Sequence, residues 1–265
     1  MALYKASETK SHLRESKEGT RRRSVILPAA CGRGPLDKKD LEMPVYLSLC
    51  YFLLALSGMS LHLVHFGAWE VVMKTLPALF LTGCAWAYTR PRFGFWVVLG
   101  VAFGAVGDYS LSNAERSWFL AGVAAFLIGH VAYSIAFAKD LRVTKPRLAV
   151  IVVTTVFMTA LVTAVAFRMK SLGDQELILP VAVYVLVMGV MMALAVLHQS
   201  PTWYIAAGAV IFVISDAHIA FNHMLLSSTW LPLSLSGYAT YYLAQYLLVA
   251  GAAHESRSRE NAAQA

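Results

Sequence analysis

The chain has 265 residues, of which 58% are hydrophobic and 14% charged, against about 25% charged in an ordinary soluble domain. Residues 43–254 are almost continuously apolar, more than a soluble core absorbs, which excludes a water-soluble globular protein and points to a bilayer. The net charge of +7 is no sign of a nucleic-acid partner: ten of the 22 Lys and Arg fall in the first 40 residues and most others flank apolar segments, where topology and anionic lipid account for them.

In chain order, residues 1–42 come first. They are polar, basic and without apolar periodicity, with a compact cluster at Arg21, Arg22 and Arg23. They read as a disordered cytoplasmic tail able to lie on anionic lipid. Nothing there resembles a cleavable signal peptide, because a long polar stretch precedes the first apolar run. An all-α, polytopic domain is expected over 43–256, with eight transmembrane helices at about 44–66, 70–89, 94–113, 117–138, 147–167, 177–197, 202–223 and 236–254. Each is about 20 residues long, enough to cross about 30 Å of hydrocarbon. Helices are preferred because each satisfies its own backbone. Arg90-Pro91-Arg92, Lys145-Pro146, Gly173-Asp174 and Ser200-Pro201 mark turns, and 257–265 form a short cytoplasmic tail.

Charge sets the orientation. With the N-terminus inside, the inner segments hold 18 Lys and Arg and the outer side holds four, Lys74, Arg116, Arg168 and Lys170; without the tail the bias is eight to four. Both termini are expected in the cytoplasm. The membrane is the bacterial inner membrane or, in a eukaryote, the endoplasmic reticulum. A parallel repeat of two four-helix halves is discernible: Gly107-Asp108 precedes Gly129-His130-Val131-Ala132-Tyr133 by the same separation as Ser215-Asp216 precedes Gly237-Tyr238-Ala239-Thr240-Tyr241.

Ionisable groups in a bilayer are costly and become functional candidates. Two acids lie well inside predicted helices, Asp108 in the third and Asp216 in the seventh, at similar depth. Gly100, Gly104 and Asp108 recur every four residues on one stripe, where glycines admit a close neighbour. On the fourth helix His130, Tyr133 and Ser134 share a face. Ser215 adjoins Asp216, and Tyr238, Tyr241, Tyr242 and Gln245 make a polar aromatic face on the eighth. Lys74, early in the second helix, is placed either to snorkel or to meet a lipid phosphate. Cys31, Cys50 and Cys84 lack metal or disulfide spacing. There is no Gly-x-Ser-x-Gly, no HExxH, no phosphate loop and no CxxC, so neither metal nor cofactor is expected.

Together these residues resemble a known arrangement. Phe103-x-x-Val106-Gly107-Asp108, His130-x-x-Tyr133, Ile214-Ser215-Asp216-x-x-Ile219-Ala220-x-Asn222, Thr240-Tyr241-Tyr242-x-Ala244-Gln245 and Lys74-x-Leu76-Pro77 are similar to the motifs of the YhhN-like lysoplasmalogenase family, over about residues 44–256. The resemblance implies an eight-helix membrane hydrolase that cleaves the vinyl ether bond of lysoplasmalogens. Its products would be a fatty aldehyde and glycerophosphoethanolamine or glycerophosphocholine. It also implies that the essential aspartates fall on Asp108 and Asp216.

The chemistry agrees with the residues. Vinyl ethers hydrolyse by protonation at carbon, and water captures the oxocarbenium ion. A positioned acid and an ionised carboxylate can divide the work, as in glycoside hydrolysis. Asp108 and Asp216 would be that pair, in either order. Lys74, His130, Tyr133, Ser215, Asn222, Tyr241, Tyr242 and Gln245 would bind substrate or support them. The expected partners are a lysophospholipid and the bilayer. Oligomeric state is not legible. Two other readings use the same residues: a small-solute or proton-coupled transporter, which needs a buried Asp, His and Tyr relay, and a metal-dependent lipid amidase.

Overall fold

The computed structural model describes residues 43–264 except 65–67, 90, 113–114 and 227–229; the basic tail and Cys31 lie outside the described residues. Among these are eight α-helices: α1 Val45–Val64, α2 Ala68–Tyr88, α3 Pro91–Leu111, α4 Arg116–Phe137, α5 Lys145–Leu172, α6 Ile178–Leu197, α7 Tyr204–Ile219 and α8 Leu231–Gln264. A 3₁₀ turn, Gln175–Leu177, leads into α6, and a π-helical turn, Ala220–Leu225, continues α7. Among the described residues the extended pairing is a single bridge between Leu141 and His198.

The protein is a multi-pass membrane protein. Among the described residues six segments are long and apolar enough to cross a bilayer: Val71–Tyr88, Phe93–Leu111, Arg116–Phe137, Lys145–Leu172, Gln175–Leu197 and Tyr204–Asn222. Eight crossings would require α1 and α8 as well. The apolar run of α1, Val45–Ser60, is shorter, and α8 carries Tyr238, Tyr241, Tyr242 and Gln245. Val153, Phe167 and Leu179 are 68–72% exposed, a placement that lipid solvates and water does not.

Two helices run past their expected ends. α5 continues to Leu172 and stops at Gly173, whose φ of 85° is the left-handed cap that glycine adopts without strain. The N–H groups of Gly173 and Asp174 there reach the carbonyls of Lys170 and Met169. α8 continues through 257–264, the stretch read above as a tail.

The extra turns of α8 are held by a polar clasp. His198 Nε2 lies 2.6 Å from Glu255 Oε2, both buried, and His198 Nδ1 lies 2.8 Å from the Lys139 carbonyl. Arg259 bonds Glu255 and Asp140, and Arg147 donates to the Leu197 and His198 carbonyls. The clasp joins the α4–α5 and α6–α7 turns to the end of α8.

The most extensive helix pairings are α3 with α4 and α7 with α8. Small residues permit both. A Cβ on Gly129 would stand 3.0 Å from the Gly100 carbonyl oxygen, and one on Gly208 3.0 Å from that of Ala244. These pairings bring Asp108 and Asp216 toward one space, with α8 between them.

Candidate active site between α3, α7 and α8

At the end of the bundle opposite the clasp lies a cavity of about 560 Å³, within the usual range for small-molecule sites of about 300–1,000 Å³. Both aspartates line it, together with Lys74, Ser215, Asn222, Tyr241 and Tyr242. Each aspartate stands three residues before the last α-helical residue of its helix, Leu111 in α3 and Ile219 in α7. The structure thus brings seven of the ten sequence candidates to one wall. His130, Tyr133 and Gln245 stand behind that wall.

Asp108 is held from α8. Tyr241 Oη donates to Asp108 Oδ2 at 2.9 Å, Gln245 Nε2 donates to Tyr241 Oη at 3.3 Å, and Tyr133 Oη donates to Gln245 Oε1 at 2.5 Å. The glycine stripe makes room for this chain. A Cβ on Gly104 would stand 2.6 Å from Gln245 Nε2 and 3.0 Å from Tyr241 Oη, and one on Gly100 2.5 Å from the Tyr133 ring.

Asp216 is held from α6. Tyr184 Oη donates to its Oδ2, and His130 Nε2 lies 3.1 Å from the same phenol oxygen. Since the Tyr184 proton points to the carboxylate, the His130 proton belongs on Nε2. Asp216 is 12% exposed and His130 1%. His130 is wedged edge-on against Phe212 and Tyr184. Four residues past Asp216, the π-helical turn Ala220–Leu225 widens the end of α7, a local irregularity frequent at functional sites. Asn222 sits in that turn. Its Nδ2 donates to Ser234 Oγ at 2.5 Å and its Oδ1 accepts the Trp230 N–H at 2.6 Å, so it ties α7 to the start of α8. Ser215 also braces α8, donating to the Gly237 carbonyl at 3.1 Å.

Lys74 is buried in the cavity wall, with Nζ 5.2 Å from the centre of the Tyr238 ring, a cation–π distance. Proline shapes this helix locally. Pro77 has no N–H for the carbonyl of Met73, and Gly58 of α1 packs there, so close that a Cβ would stand 2.7 Å from the Met73 oxygen. Tyr242 Oη donates to the Lys74 carbonyl at 3.0 Å, and the Tyr242 carbonyl accepts from Tyr51 Oη at 2.8 Å. Arg116 reaches the rim, where Asp174 and Glu176 hold it.

Tyr184 is absent from the sequence candidates, as are Tyr51 and Arg116. Tyr184 did leave a mark: in Ile178–Leu197 it is the one side chain with a hydrogen-bond donor. Among the described residues, no three His, Cys, Asp or Glu side chains gather as a metal site would.

In comparison with known proteins, the model of the YhhN family matches residues 69–252. Two relatives, each named a lysoplasmalogenase, from Mycobacterium bovis and Mycobacterium tuberculosis, are 28% identical to the chain over 186 residues, 69% of this chain and 69% of each relative. No solved structure matches.

Proposed function

The chain belongs to the YhhN family, and from that premise we propose that it hydrolyses the vinyl ether bond of lysoplasmalogens, releasing a fatty aldehyde and a glycerophospho-ethanolamine or -choline. The observation that carries this reading is the pair of aspartates, from α3 and α7, facing one cavity in an apolar bundle. The names of the mycobacterial relatives support it.

In the reaction, one aspartic acid delivers a proton to the vinyl carbon distal to oxygen. Positive charge then spreads over the adjacent carbon and the ether oxygen. The second carboxylate stabilises that cation and directs water to it, and fixed charge in a dry site is worth far more than in bulk water. The hemiacetal collapses to aldehyde and alcohol. Tyr241 and Tyr184 orient the two carboxylates; Gln245, Tyr133 and His130 hold those phenols in turn. Lys74 is the cation for the substrate phosphate. Ser215, Asn222 and Tyr242 set the cavity wall. With both termini in the cytoplasm, the cavity opens toward the opposite face of the membrane.

Purified protein in detergent should release aldehyde from a synthetic lysoplasmalogen and none from a saturated ether lysolipid. Uptake of solute into liposomes with no chemical change would favour the transport reading instead.

A further inference from the structure

The site has a second arm. Beside the polar cavity lies an apolar one of about 90 Å³, walled by Val123 of α4, Leu161 and Val165 of α5, and Val181 and Val185 of α6. The two adjoin: Leu111, Phe119, Phe126, Asp216, Ile219 and Met224 line both. Apart from Asp216 and Tyr184, every residue lining the second arm has an apolar side chain. Asp108 lines the polar arm and not the apolar one.

An alkenyl lysophospholipid has the same order along its length. The phosphate and glycerol are polar, the ether oxygen and the C1′=C2′ bond mark the junction, and everything past C2′ is hydrocarbon. Laid in the site with its phosphate toward Lys74, the molecule turns apolar where the cavity does, at Asp216. The reverse orientation would bury a phosphate among valines, where an unpaired charge is prohibitive.

The geometry points to a division of labour between the aspartates: the first carbons of the alkenyl chain occupy the crevice among α4, α5 and α6, so that Asp216 faces C2′ and Asp108 faces the water that attacks C1′. This rests on the hydrolase reading above. Step by step, the proton on Asp216 Oδ1 passes to C2′ while the π electrons form the new C–H bond, and the ether oxygen shares the charge left on C1′. Oδ2 stays with Tyr184. Water adds to C1′ and its proton passes to Asp108. The bond from C1′ to the glycerol oxygen then breaks, that oxygen takes the proton from Asp108, and the hemiacetal hydroxyl returns its proton to Asp216. One water is consumed and both carboxyl groups are restored.

The test uses the full-length protein in detergent and an alkyl-ether lysophospholipid that cannot be hydrolysed, carrying a diazirine a few carbons past the ether. Illumination should label Leu161–Val165 and Val181–Met188, and excess unlabelled lysolipid should suppress the labels. Suppressible labels confined to Leu233–Tyr242 would overturn the proposal. Val162 of α5 also lines the second arm, and in turnover Val162→Trp should cut kcat/KM for a long-chain lysoplasmalogen by about tenfold or more while leaving a propenyl substrate within about twofold. An equal loss for both chain lengths would contradict the chain site. The two readings fail separately: aldehyde release with labels outside α5 and α6 removes the chain site alone, whereas the expected labels without aldehyde release remove the hydrolase reading and with it the roles given to the aspartates.

Discussion

His130 and Tyr133 stand three residues apart on α4, and each ends a hydrogen-bonded path to a different aspartate: His130 to Asp216 through Tyr184, Tyr133 to Asp108 through Gln245 and Tyr241. One turn of one helix therefore supports both carboxylates. The paths also break the internal repeat. Tyr133 and Tyr241 occupy matching places in the two halves, yet Tyr241 touches an aspartate and Tyr133 does not.

Asp108→Asn and Asp216→Asn keep shape and volume and remove the acid-base function. Each should lower kcat by about 10²- to 10⁴-fold, the usual contribution of positioned acid-base catalysis, with an unchanged elution profile on size exclusion. Near wild-type turnover in either variant would remove that residue from the reaction.

Tyr184→Phe and Tyr241→Phe each delete one bond to a carboxylate. Hydrogen bonds to charged groups contribute about 1.5–3 kcal/mol, so kcat should fall by about 10- to 100-fold while KM changes little. Tyr242→Phe, which loses only a bond to a backbone carbonyl, should show the smaller kinetic effect. Steady-state kinetics on the three variants checks the ranking.

Gly100→Ala and Gly104→Ala should differ in kind. Gly100 abuts the Tyr133 ring, part of the packed core, and overpacking there should cost about 1–3 kcal/mol, read as a lower melting temperature. At Gly104 the nearest atom is the far end of the Gln245 side chain. That side chain can give way, and in doing so it releases Tyr241, so activity should fall more than stability.

The clasp predicts a pH dependence. Burial works against a charge on His198, but its bonds to Glu255 and the Lys139 carbonyl outweigh this and raise its pKa above the ordinary 6.5. A raised folded-state value means the stabilisation is complete below 6.5 and is lost as pH climbs through the raised value. Thermal unfolding followed from about pH 6 to about pH 9 should show falling stability in the wild type, and a flatter profile in Glu255→Gln. Glu255→Ala, which leaves a buried partner unpaired, should cost about 3–5 kcal/mol.

Much of this was legible in the chain. Asp108 and Asp216 stood out because a carboxylate inside an apolar helix has no cheap explanation, and both face the cavity. The Gly100–Gly104 stripe was readable as a close approach, though not what approaches it. Tyr184 stood out in its helix by its hydroxyl, but its role was not readable: a lone tyrosine in an apolar helix packs acceptably as a ring, and only the meeting of α6 with α4 and α7 gives that hydroxyl two partners. The end of α8 escaped for a similar reason. Glu255 and Arg259 looked like the polar end of a crossing, but turns distant in sequence supply His198 and Asp140, and the helix runs on.

The most direct test of the central claim is to run the reaction in D₂O, trap the aldehyde by reduction as it forms, and locate the deuterium by mass spectrometry. Protonation at carbon places one deuterium on C2 of the product and makes the wild-type rate slower in D₂O than in H₂O. An aldehyde without deuterium at C2, or no aldehyde from folded protein, would contradict the account.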